Sequence, residues 1–171
     1  MKKFNFLLLD AGPVIGLFEL GVHIWELFIE KCNVTITETV ESEAIFASNT
    51  TIDLNSYRDS GRINIVDVDV SRVKNFLDQL NPAYKDSIHD GEKESLAFLC
   101  DSDEEWKICA ADGSVFRVMG LLGKRDQSIS LEEILGEIGL QQSGLHWKYT
   151  KKFREKYIGE GEKDRTAGFN L

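Results

Sequence analysis

Two aspartates in this sequence of 171 residues follow apolar segments that are typical of buried strands. Asp10 comes directly after residues 6–9 and precedes a Gly-Pro turn, and Asp112 comes after residues 108–111. A carboxylate at the end of an apolar strand cannot remain buried without a partner. Because ligands bind at the carboxyl ends of the strands in an open parallel sheet, both aspartates are candidates for a functional site.

Further acidic residues occur where two helices are predicted to begin. Glu38, Glu41 and Glu43 lie in the helix after the second predicted strand, and Asp90, Glu92 and Glu94 lie at the start of a later one. Helices that follow parallel strands begin at the same edge of the sheet. The sequence therefore predicts that carboxylates from four separate segments converge at this edge.

Converging carboxylates point to metal chemistry. They repel one another, and their pKa values rise unless a cation keeps them ionised. A ligand set made only of oxygen selects a hard cation such as Mg²⁺ or Mn²⁺. Such ions activate water and stabilise an in-line displacement at phosphorus, which is the chemistry of phosphodiester hydrolysis.

A simpler explanation competes at the two helix starts. Acidic residues are common in the first turn of exposed helices, because they complement the positive end of the helix dipole. This explanation is preferred for any single acid at those starts. It applies less well to Asp10 and Asp112, which end apolar strands.

Strands and helices alternate along the chain, and this order predicts an α/β fold with a parallel sheet. The predicted strands lie at about residues 4–9, 34–36, 62–66 and 106–110. Thr37, Ser71 and Ser130 are predicted to cap helices, and Ser130 forms a capping box with Glu133. We expect one domain at residues 1–145, followed at 146–171 by a C-terminal helix and a tail that is frayed from Gly159.

Composition restricts the setting of the protein. The net charge of −9 disfavours binding of nucleic acid by bulk electrostatics. Cys32, Cys100 and Cys109 are scattered without metal-site spacing, which favours a reducing compartment, and we expect a cytoplasmic protein. Asp10 interrupts the short apolar stretch that follows Lys2 and Lys3, so a secretory signal is not expected, and no stretch is long enough to span a membrane.

Four segments together resemble the PIN-domain family of metal-dependent nucleases: residues 8–15, 37–44, 90–97 and 110–113. Their order and spacing cover about residues 4–140 of the chain. The resemblance implies a three-layer α/β/α fold with a central parallel sheet of four or five strands. It also implies an endoribonuclease site of three or four acids that holds Mg²⁺ or Mn²⁺.

The resemblance assigns roles to four acids, as catalytic residues and metal ligands. Asp10 matches the first family acid, and Glu43, which borders the apolar face of its predicted helix, matches the second. Glu94 matches the third, and Asp112 matches the fourth.

Two positions depart from the family pattern. Most members carry Asp before Ala at the third acid, whereas this chain has Glu94 before Ser95. Glu92 therefore stays an alternative for the third acid, because residues two apart face different sides of a helix. Ala111 stands where many members have Thr or Ser, and the missing hydroxyl would weaken the orientation of the metal ligands.

The partners expected from the resemblance are single-stranded RNA and, since many relatives are toxins of toxin–antitoxin pairs, a small antitoxin protein. RNA rather than DNA follows from the resemblance alone. Homodimers are usual in the family, and the predicted helices are apolar enough to allow one. We expect no membrane partner.

One stretch, residues 146–157, is both basic and rich in aromatic residues, a composition that suits single-stranded nucleic acid. The preferred alternative is an amphipathic terminal helix that packs Trp147, Phe153 and Tyr157 on the core or on a partner.

Two other functional classes are alternatives to a metal-dependent nuclease. Phosphatases of the haloacid-dehalogenase type use an Asp at the end of the first strand, but they need a second Asp and a Thr nearby. Gly12 and Val14 occupy those places here, which disfavours this class. A catalytically silent PIN-like interaction module stays open, because Glu94, Ala111 and the net charge of −9 all depart from an efficient nuclease.

Overall fold

Five parallel strands form one sheet in the computed structural model, which describes residues 1–47 and 51–169. They are β1 (Phe4–Leu9), β2 (Cys32–Thr37), β3 (Asn64–Val66), β4 (Lys107–Cys109) and β5 (Ser128–Ile129). The strand order is β3-β2-β1-β4-β5, and every neighbouring pair is parallel. The predicted α/β class with a central parallel sheet is confirmed.

Helices lie on both faces of this sheet. They are α1 (Ala11–Leu20), α2 (Val22–Lys31), α3 (Glu38–Ala47), α4 (Asn55–Asp59), α5 (Val70–Gln79), α6 (Pro82–Lys85), α7 (Asp90–Cys100), α8 (Gly113–Leu121), α9 (Leu131–Glu137) and α10 (Lys151–Thr166). Across the described ranges, no helix combines the length and the apolar character needed to cross a membrane.

The core has two halves, one on each face of the sheet. Leu7 and Leu9 of β1 pack with α1, α2, α3 and α9, whereas Leu8 packs with α5, α7, α8 and α10. All three leucines are fully buried, because successive side chains of a strand point to opposite faces and both faces are covered. The layers are therefore helix, sheet and helix, as expected.

The central position of β1 brings two strand ends together. Leu9 of β1 pairs with Cys109 of β4, so the segments that follow both strands begin at the same edge of the sheet. Asp10 follows Leu9 directly, and Asp112 lies three residues beyond Cys109. Strand pairing alone thus places the two strand-end aspartates on neighbouring segments.

Helix caps largely follow the sequence. The Thr37 hydroxyl accepts a hydrogen bond from the Val40 N–H at 3.2 Å, and Ser130 and Glu133 form the predicted capping box. Ser71 is a correction, because the cap of α5 is Asp69, whose carboxylate accepts the Ser71 N–H at 2.7 Å. Asp and Ser are equally good caps, and the earlier one starts the helix two residues sooner.

The C-terminal segment is also more ordered than expected. The tail predicted to be frayed from Gly159 is helical as far as Thr166, while residues 170–171 lie outside the described ranges. The helix α10 packs closely against α8 because glycines stand at the crossing. A side chain at Gly161 would overlap the Arg117 carbonyl, and one at Gly120 would overlap the Ile158 carbonyl.

This crossing predicts opposite effects for two glycines of α10. Gly161→Ala should lower the free energy of unfolding by about 1–3 kcal/mol, because the added methyl forces the helices apart. Gly159→Ala, where nothing lies within 4 Å of the added carbon, should raise it by about 0.5–1 kcal/mol. Urea unfolding measures both, and equal effects of the two substitutions would contradict the close crossing.

Candidate functional site

A cavity of about 540 Å³ opens at the carboxyl edge of the sheet. Five acidic residues line it: Asp10, Glu43, Asp90, Glu92 and Asp112. Asp90 is exposed at the rim and pairs with Lys93 at 3.0 Å, so four acids belong to the interior. These four come from the end of β1, from α3, from α7 and from the start of α8.

Asp10 is buried at the end of β1, with 5% of its surface exposed. Its Oδ1 has no hydrogen-bonding partner among the described residues. Burial raises the pKa of Asp10 to about 8, and the charges of Glu92, Glu43 and Asp112 add to this rise, while the Ala11 amide opposes it. Without a cation, Asp10 is therefore largely protonated at neutral pH.

Glu92 lies in the first turn of α7 and is only 3% exposed. Its Oε2 accepts hydrogen bonds from the His89 N–H at 2.8 Å and from the Ser114 hydroxyl at 3.1 Å. Burial is the main cause that raises the pKa of Glu92, and the Asp112 charge raises it further. The side chain thus caps its own helix while it faces the cavity.

Asp112 is the N-cap of α8, and its Oδ1 accepts the Ser114 N–H at 2.9 Å. The Ser114 hydroxyl also lies 2.9 Å from this oxygen, and it is within reach of Glu92 as well. A hydroxyl has one proton, so it donates to one carboxylate at a time. Ser114 therefore lies between the two acids and can donate to either of them.

Glu43 reaches the cavity from α3. Its Oε1 accepts the Gly91 N–H at 3.1 Å, which links α3 to the start of α7. A side chain at position 91 would overlap the Glu43 carboxylate, so only glycine allows this approach. The hydrogen bond between these two residues holds the Glu43 carboxylate at the cavity.

Glu94 does not join the cavity, although the resemblance assigned it the third place. Its Oε1 accepts a hydrogen bond from the Thr39 hydroxyl at 2.8 Å, so it faces α3. Residues two apart on a helix point about 200° from each other, and the face of α7 that carries Glu92 is the one turned to the cavity. Glu92, the alternative left open by the sequence, lines the cavity.

The remaining predicted acids fit the simpler explanation. Glu38 is exposed in the first turn of α3, and Glu41 pairs with Arg58 at 3.5 Å. Neither lines the cavity, so both behave as ordinary first-turn acids.

Sequence reasoning missed two residues of this site. Ser114 has a local signal, because a Ser two residues after an Asp N-cap donates to that Asp. Lys148 lines the cavity from residues 146–157, the stretch that the sequence marks as basic and aromatic, but no sequence signal places this stretch at the cavity.

The donor set suits a hard divalent cation. In residues 1–47 and 51–169, no three Asp, Glu, His or Cys side chains are already grouped as ligands of one metal ion. The four interior acids nevertheless offer only oxygen, and one oxygen of buried Asp10 has no partner. A cation among them would offset the repulsion and keep Asp10 ionised, so the residues fit Mg²⁺ or Mn²⁺.

Models of known protein families and curated proteins yield no match to this chain. The chemistry of the cavity is therefore the basis for a functional assignment.

The raised pKa of Asp10 predicts a pH-dependent stability. The folded protein keeps a proton up to about pH 8 that the unfolded chain releases near its ordinary pKa of 3.8. The contribution of this group is full below pH 3.8 and is lost towards pH 8, at up to about 1.4 kcal/mol per pH unit.

Asp10→Asn removes this dependence, so its stability relative to the natural chain should rise between pH 4 and pH 8 in EDTA. Urea unfolding at a series of pH values measures the difference. Added Mn²⁺ should raise the melting temperature of the natural chain at pH 8 and leave that of Asp10→Asn unchanged. Parallel pH profiles of the two proteins would contradict the raised pKa.

The Ser114 bridge predicts a loss of metal affinity when the hydroxyl is removed. Ser114→Ala should weaken Mn²⁺ binding by about 10–100-fold, because Glu92 and Asp112 lose their shared donor. Ser114→Thr keeps a hydroxyl and should retain most of the affinity. Titration calorimetry measures both, and equal affinities in the Ala and Thr variants would rule out the bridging role.

Proposed function

We propose that this chain is a PIN-like, metal-dependent endoribonuclease. The observation that carries the proposal is the convergence of Asp10, Glu43, Glu92 and Asp112 on one cavity, with Asp10 buried and in need of a positive partner. Four carboxylates that line one cavity repel one another, and two of them, Asp10 and Glu92, are buried, so a bound cation would stabilise the set. The proposal agrees with the family resemblance in three of the four acids and replaces Glu94 by Glu92.

In the proposed site, Asp10, Glu92 and Asp112 hold Mg²⁺ or Mn²⁺, and Glu43 holds the ion or orients the attacking water. When bound, the ion activates water and stabilises the negative charge that develops on the phosphate. Ser114 keeps Glu92 and Asp112 in place, and the Gly91 N–H does the same for Glu43. The protein thus supplies a fixed set of oxygens before the substrate arrives.

The proposed substrate is single-stranded RNA. The resemblance to toxins extends the proposal to a small antitoxin protein as a partner, and the scattered cysteines support a cytoplasmic location.

A catalytically silent interaction module is the second candidate. The observation that favours it is that no metal-ligand group is already assembled within the described part of the chain. In that case, Asp10 stays protonated and the cavity serves as a binding surface.

Cleavage of a generic single-stranded RNA by the purified protein in Mn²⁺ distinguishes the two candidates. Asp10→Asn and Glu92→Gln should each lower kcat/KM by about 100-fold or more, because each removes a charge that holds the ion. EDTA should abolish cleavage.

Glu94→Gln is the matched control, since it changes the same residue type on the same helix outside the cavity and should leave the rate nearly unchanged. Cleavage that survives Asp10→Asn comes from a contaminant or another site. If neither cleavage nor Mn²⁺ binding is detected, the silent module is the correct function.

A further inference from the structure

The basic and aromatic stretch at residues 146–157 presents several of its side chains to solvent beside the cavity. We infer that this surface is the docking strip for the single-stranded RNA substrate. The docking strip consists of Trp147, Lys148, Lys152 and Lys156. The identity of the RNA as a substrate rests on the proposed function, but its binding to the docking strip is a separate property.

The start of the docking strip is tied to the acidic edge of the sheet. The Tyr149 hydroxyl donates a hydrogen bond to the Gly12 carbonyl at 3.0 Å, and its ring packs on Gly16 of α1. Trp147 and Lys148 belong to the same 3-10 turn as Tyr149, and Lys148 lines the cavity itself. This turn is therefore held within the reach of a phosphate bound at the acids.

The docking strip continues along α10 on the Asp112 side of the cavity. The Tyr157 ring packs on Gly113, the residue directly after Asp112, and Lys156 lies over this ring at 4.9 Å. Lys152 is one helical turn before Lys156 and is on the same face. The lysines thus follow the helix away from the acids.

The lysines of the docking strip keep their charge available. Within the described ranges, Lys148, Lys152 and Lys156 form no ion pair with an acidic side chain. The neighbouring Arg154 differs, because it is buried and bonds to Glu133 at 2.8 Å. These three unpaired lysines place positive charge beside the acidic cavity, and the net charge of −9 for the whole chain does not reveal it.

Trp147 gives the docking strip a face for stacking. Its side chain is 48% exposed, although tryptophan gains more than most residues from burial. Its ring contacts the ring of Phe153 at 5.9 Å between centroids, with the two ring planes nearly perpendicular. The preferred sequence interpretation placed the aromatic residues on the core or on a partner; Phe153 packs in the core, whereas Trp147 does not.

These features select a single strand over a duplex. A base can stack on Trp147 only when it is unpaired and turned outward. The lysines contact phosphates and add affinity without sequence preference. The docking strip therefore explains how an acidic protein can hold RNA with its backbone close to the proposed metal site.

Binding is tested in the Asp10→Asn background, where cleavage does not interfere. Fluorescence anisotropy with a short labelled single-stranded RNA measures the Kd over a series of salt concentrations. Trp147→Ala should weaken binding about tenfold, and Trp147→Phe should retain most of it. Replacing all three lysines by Ala should lower the slope of log Kd against log salt by about two.

Lys163→Ala is the matched control, because Lys163 is an exposed lysine at the far end of α10 and should leave the Kd unchanged. Circular dichroism of each variant checks that it is folded. Duplex RNA should be insensitive to Trp147→Ala.

The outcomes separate this inference from the proposed function. If RNA binding depends on the docking strip but the natural chain does not cleave RNA, the docking strip stands and the nuclease proposal fails. If the natural chain cleaves RNA and the docking-strip variants keep the same Kd and KM, the inference is wrong. It is also wrong if the Asp10→Asn protein binds no RNA, or if the lysine at position 163 matters as much as the others.

Discussion

Four carboxylates lie around one cavity, and their mutual repulsion is the force that the surrounding structure balances. Burial at the end of a strand that is covered on both faces is the main cause that raises the pKa of Asp10, and the charges of the other three acids add to it. The other three each meet a donor from the first turn of a helix or from the residue before it. The backbone N–H groups of His89 and Gly91 and the hydroxyl of Ser114 fill this role. Helix N-termini thus supply the positive ends of dipoles where the sheet edge collects negative charge.

Two of these acids cap a helix and line the cavity at the same time. Glu92 caps α7, and Asp112 caps α8, while both face the cavity. The presence of acids in the first turn of a helix does not by itself distinguish a cap from a ligand. What distinguishes them is burial beside another carboxylate, which a plain helix cap avoids.

The sequence predicts the strands that position this site better than it predicts which helix residues line the cavity. The strand ends at Asp10 and Asp112 were predictable, because long apolar runs and their order along the chain determine a parallel sheet. Which of Glu92 and Glu94 lines the cavity was not predictable from the sequence. The helix α7 has apolar residues on more than one side, and the face that meets the cavity depends on contacts with α3 and α8. The continuation of α10 to Thr166 was not predictable from the sequence either, because it depends on the close contact of α8 and α10 at Gly120 and Gly161, which are about 40 residues apart in the sequence.

The hydrogen bond between Tyr149 and Gly12 joins residues that are separated by 137 positions. During synthesis the N-terminal part of a chain leaves the ribosome first, so the segment with Asp10 emerges before Tyr149 can contact Gly12. Before residues 147–166 have folded onto the rest of the chain, Lys148 does not line the cavity and α8 is not packed against α10. The acidic cavity is therefore complete only after residues 147–166 have folded onto the earlier part of the chain.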